Sequence, residues 1–220
     1  MPNHNIPSGG SGLLGSPLYA ILDPAQTKGR APSSVLRALL EGGSPAVQLR
    51  AKEVPSGDFF RLACEARELT FKAASLFIVN DRVDIALATG ADGVHLGQED
   101  LPLRAARKLM RDKIIGISTH SVSQAREAER DGASYIGFGP IFVTVTKATG
   151  HAPRGVAMLR EICRAVKIPV IAIGGIREDN VTQVWDAGAA AAAIISDIMG
   201  ADDVTDKVRR ILKLRLQNAD

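Results

Sequence analysis

The feature that most constrains the fold of this 220-residue chain is a strict alternation of short apolar runs with longer amphipathic stretches. Short apolar runs are typical of buried strands, and apolar residues at helical spacing predict helices. The apolar runs are Leu18–Leu22, Ala46–Leu49, Leu76–Val79, Gly93–Leu96, Ile114–Ile117, Tyr135–Phe138, Pro169–Ile173 and Ala190–Ile195. The helical stretches are Ser33–Glu41, Asp58–Ala73, Val83–Thr89, Leu103–Met110, Ser123–Asp131, Val156–Val166, Asn180–Ala187 and one that begins just after Val204.

Strands that alternate with helices predict parallel pairing, because each parallel connection needs a crossover. Eight strands favour a closed (β/α)8 TIM barrel of the α/β class over an open doubly wound sheet, which usually has about five or six strands. The open sheet remains the alternative. Three runs follow a Gly-Ala turn, at Gly90, Gly132 and Gly188, where glycine can end a helix in the left-handed conformation. We therefore expect a flexible lead-in over residues 1–16 and a single barrel domain over residues 17–216.

Composition and charge favour a protein that acts on small molecules. The net charge is only +3, aromatic residues make up 4%, and Lys and Arg are spread along helical stretches, which is not typical of a nucleic-acid surface. The basic stretch Lys207–Arg215 is explained by the exposed face of an amphipathic closing helix. The apolar runs are too short to span a membrane, and residues 1–16 lack the pattern of a signal peptide. We expect a cytoplasmic protein, and the sequence is compatible with a homo-oligomer.

Cationic residues follow the second apolar run. The reactive face of a (β/α)8 barrel lies at the carboxyl ends of its strands. Alternation along a strand would place Gln48, Arg50 and Lys52 on the same side. Two cations beside a carboxamide favour a polyphosphate ligand, with surface ion pairs as the alternative.

Carboxylates follow the next two runs, at Asp81 and Asp100. Magnesium binds one or two carboxylates together with substrate oxygens, so that this pair predicts a Mg²⁺ ion between protein and phosphate. Helix capping is the alternative role for both residues. His4, His95 and His151 show no ligand spacing, and we expect no zinc.

The fifth and sixth runs end in further residues for the polyphosphate, and the last two runs end in residues that suit a second anion, a monophosphate. Ser118 and His120 follow the fifth run, where His120 fits either a proton shuttle or a helix-capping loop. The sixth run leads into Thr144-Val145-Thr146-Lys147, whose hydroxyls and cation suit a phosphate or leaving group, and then into Ala148–Arg154, which we expect to be mobile. Gly174-Gly175 and Ile195-Ser196 follow the last two runs, the recurrent phosphate position of such barrels. Two phosphorylated substrates joined with loss of diphosphate would account for both anion sites.

Six stretches carry a specific resemblance when they occur in this order on eight strands. They are Val47–Lys52, Val79–Arg82, Gly93–Asp100, Gly139–Lys147, Ile173–Ile176 and Ile195–Ser196. On these residues, the chain from Leu18 to about Leu212 resembles the thiamine-phosphate synthase family. The resemblance implies a transferase that joins 4-amino-2-methyl-5-hydroxymethylpyrimidine diphosphate to 4-methyl-5-(2-phosphoethyl)thiazole, giving thiamine monophosphate and diphosphate.

The resemblance also implies a set of site residues. The pyrimidine diphosphate would bind Gln48, Arg50, Lys52, Asn80, Ser118 and Lys147, and the thiazole phosphate would bind Thr144, Val145, Thr146, Gly175, Ile195 and Ser196. Mg²⁺ would be held by Asp81 and Asp100. The implied mechanism is dissociative, with Lys147, Arg50, Lys52 and Ser118 as the catalytic residues.

Two related functions are the alternatives. One is the thiazole tautomerase branch of the same barrel family, in which a histidine equivalent to His120 transfers protons. The other is a non-catalytic barrel that binds thiazole phosphate. The acidic residues Asp81 and Asp100 favour the synthase. The chain departs from the family's pattern at Ala51, at Val143 and at Ala190–Ala192, but none of these departures removes an implied substrate contact.

Overall fold

Eight parallel strands close into a barrel in chain order, with β8 paired to β1. The computed structural model describes residues 17–144 and 152–217. Within these residues the strands are β1 Leu18–Leu22, β2 Ala46–Leu49, β3 Leu76–Asn80, β4 Gly93–Leu96, β5 Ile114–Thr119, β6 Tyr135–Phe138, β7 Val170–Ile173 and β8 Ala191–Ile194. The predicted (β/α)8 barrel is thus confirmed, and the open sheet is excluded.

Helices connect successive strands and cover the outside of the barrel. In the described part of the chain the α-helices are α1 Pro32–Glu41, α2 Ser56–Lys72, α3 Val83–Ala88, α4 Leu103–Met110, α5 Val122–Arg130, α6 Gly155–Ala165, α7 Val181–Asp186, α8 Ser196–Met199 and α9 Val204–Gln217. The sequence did not predict α8 or the 3-10 helix at Pro24–Gln26. The glycines of the three Gly-Ala turns have positive φ values of 67°, 91° and 101°, as expected at helix ends.

Strand alternation divides the buried residues into two layers. On β1, Leu18, Ala20 and Leu22 pack outward against the helices, whereas Tyr19 and Ile21 face the interior. The larger outer layer contains most of the buried residues of the helices, as expected for strands covered on one face by helices. The interior layer is small and includes two tyrosines, so that polar atoms lie within the barrel.

The barrel interior accommodates the two tyrosine rings because their neighbours are small. Gly116 on β5 lies against the ring of Tyr135, and a methyl group at this position would overlap that ring. Ala191 and Ala193 are the inward residues of β8. Among the described residues, no helix is both long enough and apolar enough to cross a membrane.

Candidate active site

Two adjoining cavities open at the carboxyl ends of the strands. The central cavity is lined by Tyr19, Ile21, Gln48, Arg50, Asn80, His95, Ser118, Tyr135, Gly137, Ile171, Ile173, Ala193 and Ile195. The loop cavity is lined by Ser118, His120, Gly137, Gly139, Pro140, Thr144, Ile173, Gly174, Gly175, Ile176, Ala193, Ile195 and Ser196. The two cavities share Ser118, Gly137, Ile173, Ala193 and Ile195, so that ligands in them would be neighbours.

The central cavity collects four of the residues predicted for the pyrimidine diphosphate, namely Gln48, Arg50, Asn80 and Ser118. Arg50 forms an ion pair with Asp23, whose side chain is almost fully buried. The sequence analysis did not identify Asp23. It directly follows the first apolar run, and the rule applied to the other strands would have found it.

Lys52 occupies a different position from the one that strand alternation predicted. β2 ends at Leu49, so that Lys52 lies in the following turn, where alternation no longer applies. Its side chain lines a neighbouring groove with Asn80 and Asp81, and its amino nitrogen is 3.1 Å from a carboxylate oxygen of Asp81. Asn80 contributes to both this groove and the central cavity, so the two are adjacent.

Asp81 and Asp100 lie side by side, although they belong to different loops. Burial and the neighbouring Asp81 carboxyl raise the pKa of Asp100 above its usual value. Asp100 Oδ2 also accepts a hydrogen bond from the backbone nitrogen of Gly97 at 2.6 Å. Neither carboxylate caps the helix that follows it, because α3 and α4 begin after Arg82 and Pro102 and have no side-chain cap.

The chemistry of this pair fits a divalent cation. Two neighbouring carboxylates that repel each other suit the one or two carboxylates that Mg²⁺ usually takes from a protein. The described residues contain no group of three or more His, Cys, Asp or Glu side chains that would form an all-protein metal site. A metal here would therefore need oxygen atoms from substrate or water.

The loop cavity collects four of the residues predicted for the thiazole phosphate, namely Thr144, Gly175, Ile195 and Ser196. Gly175 has φ of 66° and lies against the backbone of Phe142 and Val143. A short helix, α8, begins at Ser196. Val145, Thr146 and Lys147, with residues 148–151 of the predicted loop, lie outside the described residues.

His120 lines the loop cavity in a fixed orientation. Its Nδ1 is 2.9 Å from the carbonyl oxygen of Gly139 and must therefore be the donor. The capping role belongs to Ser121, which accepts from the backbone nitrogen of Gln124 at the start of α5. His120 is thus a cavity residue in the structure, and its role in proton transfer stays a prediction.

Three interior residues were missed in the sequence because they lie inside apolar runs: Tyr19, His95 and Tyr135. The hydroxyl oxygens of Tyr19 and Tyr135 are 2.7 Å apart, and Gln48 Nε2 donates to Tyr19 at 3.1 Å. His95 contacts Tyr135 through Nδ1 and Ser118 through Nε2, both at 3.0 Å. Burial raises the pKa of both tyrosines, so that their hydroxyls stay protonated. A polar residue within a strand-like apolar run was the available signal.

Comparison with known proteins gives a consistent result. The sequence profile of the family described as thiamine monophosphate synthase matches residues 18–198. The thiamine-phosphate synthase of Chloroflexus aurantiacus is 45% identical over 197 residues, covering 90% of this chain and 91% of the relative. That of Moorella thermoacetica is 47% identical over 195 residues, covering 88% and 93%.

A solved structure extends the similarity to three dimensions. Thiamine phosphate pyrophosphorylase from Pyrococcus furiosus superimposes with a TM-score of 0.86 and is 39% identical, covering 93% of this chain and 98% of that protein. The profile match spans all eight strands, from the start of β1 to α8. The chain therefore belongs to the thiamine monophosphate synthase family.

Proposed function

We propose that this protein joins 4-amino-2-methyl-5-hydroxymethylpyrimidine diphosphate to 4-methyl-5-(2-phosphoethyl)thiazole, with release of diphosphate and formation of thiamine monophosphate. The observation that carries the proposal is the pair of adjoining cavities, which share five lining residues that include Ser118 and Ile195. The central cavity is lined by Arg50 and adjoins the groove of Lys52, and the loop cavity is lined by glycines and hydroxyls. A protein with a single phosphorylated ligand would need only one of them. Family membership supports the same reaction.

The groups around the central cavity suit the departure of diphosphate. Arg50 and Lys52 provide two cations, and Lys147 would provide a third from the loop after β6. Asp81 and Asp100 would hold Mg²⁺, which neutralises charge on a leaving diphosphate. Positive charge placed where negative charge develops stabilises a transition state more than a ground state.

The reaction itself needs little acid–base chemistry. The C–O bond between the pyrimidine methylene and diphosphate breaks with its electron pair on the oxygen, and the thiazole nitrogen lone pair forms the new C–N bond. The polar residues that line the central cavity do not include a carboxylate, within the described part of the chain. Both ring nitrogens of its histidine, His95, are engaged in hydrogen bonds. The site therefore favours a dissociative substitution, driven by stabilisation of the leaving group.

The tautomerase alternative rests on His120, which lines the loop cavity with Nδ1 held by Gly139. A tautomerase has no need for cations and paired carboxylates beside a second cavity. Arg50, Lys52, Asp81 and Asp100 therefore weigh against it, and against a barrel that only binds thiazole phosphate.

The deciding experiment measures thiamine monophosphate and diphosphate after incubation with both substrates and Mg²⁺. We expect product only when both substrates are present, and loss of turnover in excess EDTA. Asp81→Ala should lower turnover by about 100-fold or more at ordinary Mg²⁺, because it removes a metal ligand. Asp84→Ala is the matched control, because Asp84 is an exposed neighbour that pairs with Arg82 outside the cavity. Its turnover should stay within about twofold of the wild type.

Acid should weaken the metal site at a higher pH than it would weaken a site built from ordinary aspartates. Protons and Mg²⁺ compete for the Asp100 carboxylate, and its raised pKa makes this competition begin at a higher pH than for an ordinary aspartate. The Mg²⁺ concentration for half-maximal rate should therefore increase as pH falls. If turnover is unaffected by EDTA, the proposed metal site is wrong. If the protein catalyses proton exchange on a thiazole but forms no thiamine monophosphate, the protein is the tautomerase.

A further inference from the structure

A continuous chain of five hydrogen-bonded side chains crosses the barrel interior. It runs from Gln48 on β2 through Tyr19 on β1 and Tyr135 on β6 to His95 on β4, and ends at Ser118 on β5. Its four distances are 3.1, 2.7, 3.0 and 3.0 Å. Both tyrosines are 1% exposed, so their hydroxyls depend mainly on these partners for hydrogen bonds. The two ends of the chain, Gln48 and Ser118, line the central cavity.

With the Gln48 amide nitrogen as the first donor, every other hydrogen bond in this chain points in one direction. The amide nitrogen of Gln48 donates to Tyr19, so the Tyr19 proton is directed to Tyr135. Tyr135 accepts this proton, so its own proton is directed to its other partner, His95 Nδ1. The remaining proton of a neutral imidazole is then on Nε2, which donates to Ser118.

This direction decides what the two ends offer to a ligand. Gln48 has its amide nitrogen engaged and presents its carbonyl oxygen, an acceptor. Ser118 accepts from His95 and retains its own hydroxyl proton, a donor. A 4-aminopyrimidine carries an amino donor beside a ring-nitrogen acceptor and matches this pair. A 4-oxopyrimidine carries a carbonyl acceptor beside a ring N–H donor, which is the reverse arrangement.

We infer that Tyr135 is a positioning residue that, with Tyr19 and His95, fixes the donor–acceptor polarity of the central cavity and selects a 4-aminopyrimidine over its 4-oxo counterpart. The inference rests on the proposed function, since it assumes a pyrimidine in this cavity. Buried polar groups left without partners are costly, so the mismatched ring should be rejected by about 100-fold or more in kcat/KM.

Tyr135→Phe tests the inference because it removes one hydroxyl and keeps the ring that packs against Gly116. The measurement is kcat/KM for the 4-amino and 4-oxo pyrimidine diphosphates. Without the hydroxyl, His95 can take either tautomer and Ser118 can donate or accept. The preference for the amino substrate should fall to below about 10-fold, mainly through a higher KM for that substrate.

Thr119→Val is the matched control. Thr119 is a fully buried residue next to Ser118, and its hydroxyl donates to the carbonyl of Gly137 outside the chain of five. This variant loses a buried hydrogen bond but should keep the wild-type preference. A folded Tyr135→Phe protein with undiminished preference would overturn the inference. Failure of the proposed function is distinguishable, because wild-type protein would then not turn over the 4-amino substrate at all.

A second measurement needs neither turnover nor a stable Tyr135 variant. Nitrogen-15 NMR of labelled histidine in the wild-type protein reports which ring nitrogen of His95 carries the proton, and the His95→Gln variant identifies its signals. We expect a neutral ring with the proton on Nε2. A proton on Nδ1 would mean that the chain runs in the opposite direction, which would overturn the inference.

Discussion

Each of the two cations beside the central cavity has a carboxylate partner of its own. Arg50 pairs with Asp23 and Lys52 with Asp81, so that both side chains are held at the strand ends before a ligand arrives. Asp23 is buried and Asp81 is partly exposed, which gives the two pairs different roles. Arg50 is oriented by a buried partner, whereas Lys52 would exchange Asp81 for a phosphate if that carboxylate binds the proposed metal.

The Lys147→Ala variant tests whether Lys147 stabilises the departing diphosphate. We expect kcat to fall by at least about 100-fold, with a smaller change in KM, because a preorganised charge contributes most when charge grows on the departing diphosphate. Lys72→Ala is the control, since Lys72 is an exposed lysine at the end of α2. Steady-state kinetics on the folded proteins distinguishes a catalytic role from a binding role. An unchanged kcat with a raised KM would mean that Lys147 only binds the diphosphate.

The site residues found in the sequence are those that follow a strand. Arg50, Asp81 and Ser118 interrupt or end apolar runs, and parallel pairing brings strand ends together. Tyr19 and Tyr135 could not be found in this way, because their contact depends on the closure of the barrel. They are 116 positions apart in the sequence and come from β1 and β6, which are not neighbours in the sheet.

At the scale of elements, a network of hydrogen bonds and ion pairs joins the loop after β7 to α8 and α9, which follow β8. Asp197 at the start of α8 accepts from the backbone nitrogen of Glu178 in the loop after β7, at 3.0 Å. Lys207 on α9 is 3.1 Å from Asp197 and 2.9 Å from Glu178. These contacts fix the loop after β7 relative to α8, and so hold the Gly175 and Ser196 sides of the loop cavity together.

Gly175→Ala tests this side of the loop cavity. The added methyl carbon would lie 2.8 Å from Cβ of Phe142 and close to the carbonyl oxygen of Val143, so the loop after β6 must move. We expect affinity for thiazole phosphate to fall by about 10-fold or more, while binding of inorganic diphosphate with Mg²⁺ persists. Isothermal titration calorimetry measures the affinity of the variant for each of the two ligands.

Gly29→Ala is the control for backbone strain. Gly29 also has a positive φ, 76°, but no atom lies within 4 Å of an added methyl group. Gly29→Ala should therefore lose about 1–2 kcal/mol of stability through the unfavourable backbone conformation, and Gly175→Ala should lose at least as much. Only Gly175→Ala should lose affinity for thiazole phosphate. Equal loss of both ligands in Gly175→Ala would instead indicate general disruption of the barrel.

The elements that the sequence predicted least well are the short or polar ones. β3 and β5 continue to Asn80 and Thr119, past their apolar runs, because backbone pairing does not require apolar side chains. α8 has only four residues, Ser196–Met199, which is too short for a helical periodicity to be visible. The long amphipathic helices and the apolar cores of the strands were predicted to within a few residues.

At the scale of the whole molecule, barrel closure depends on small residues in β8. Ala191, Ala192 and Ala193 are all buried, and the last two pair with Leu18 and Tyr19 of β1. This stretch includes part of the departure from the family's pattern at Ala190–Ala192. Alanines leave room beside the ring of Tyr19 on the neighbouring strand, and the closed barrel leaves no exposed sheet edge.

The boundary of the barrel domain can be tested by truncation. Pro17 is the first described residue that anchors the chain, because its carbonyl oxygen accepts from the backbone nitrogen of Ala192 and from Trp185 Nε1, both at 3.0 Å. A protein that begins at Pro17 keeps both hydrogen bonds and all of β1. Its melting temperature should stay within about 2 °C of the full chain, and its kcat/KM within about twofold. A protein that begins at Asp23 is the contrasting variant. It loses β1, exposes the edges of β2 and β8, and should not unfold cooperatively. Thermal denaturation and turnover of both truncated proteins test this boundary. If removal of residues 1–16 alone abolishes turnover, this segment is part of the active site.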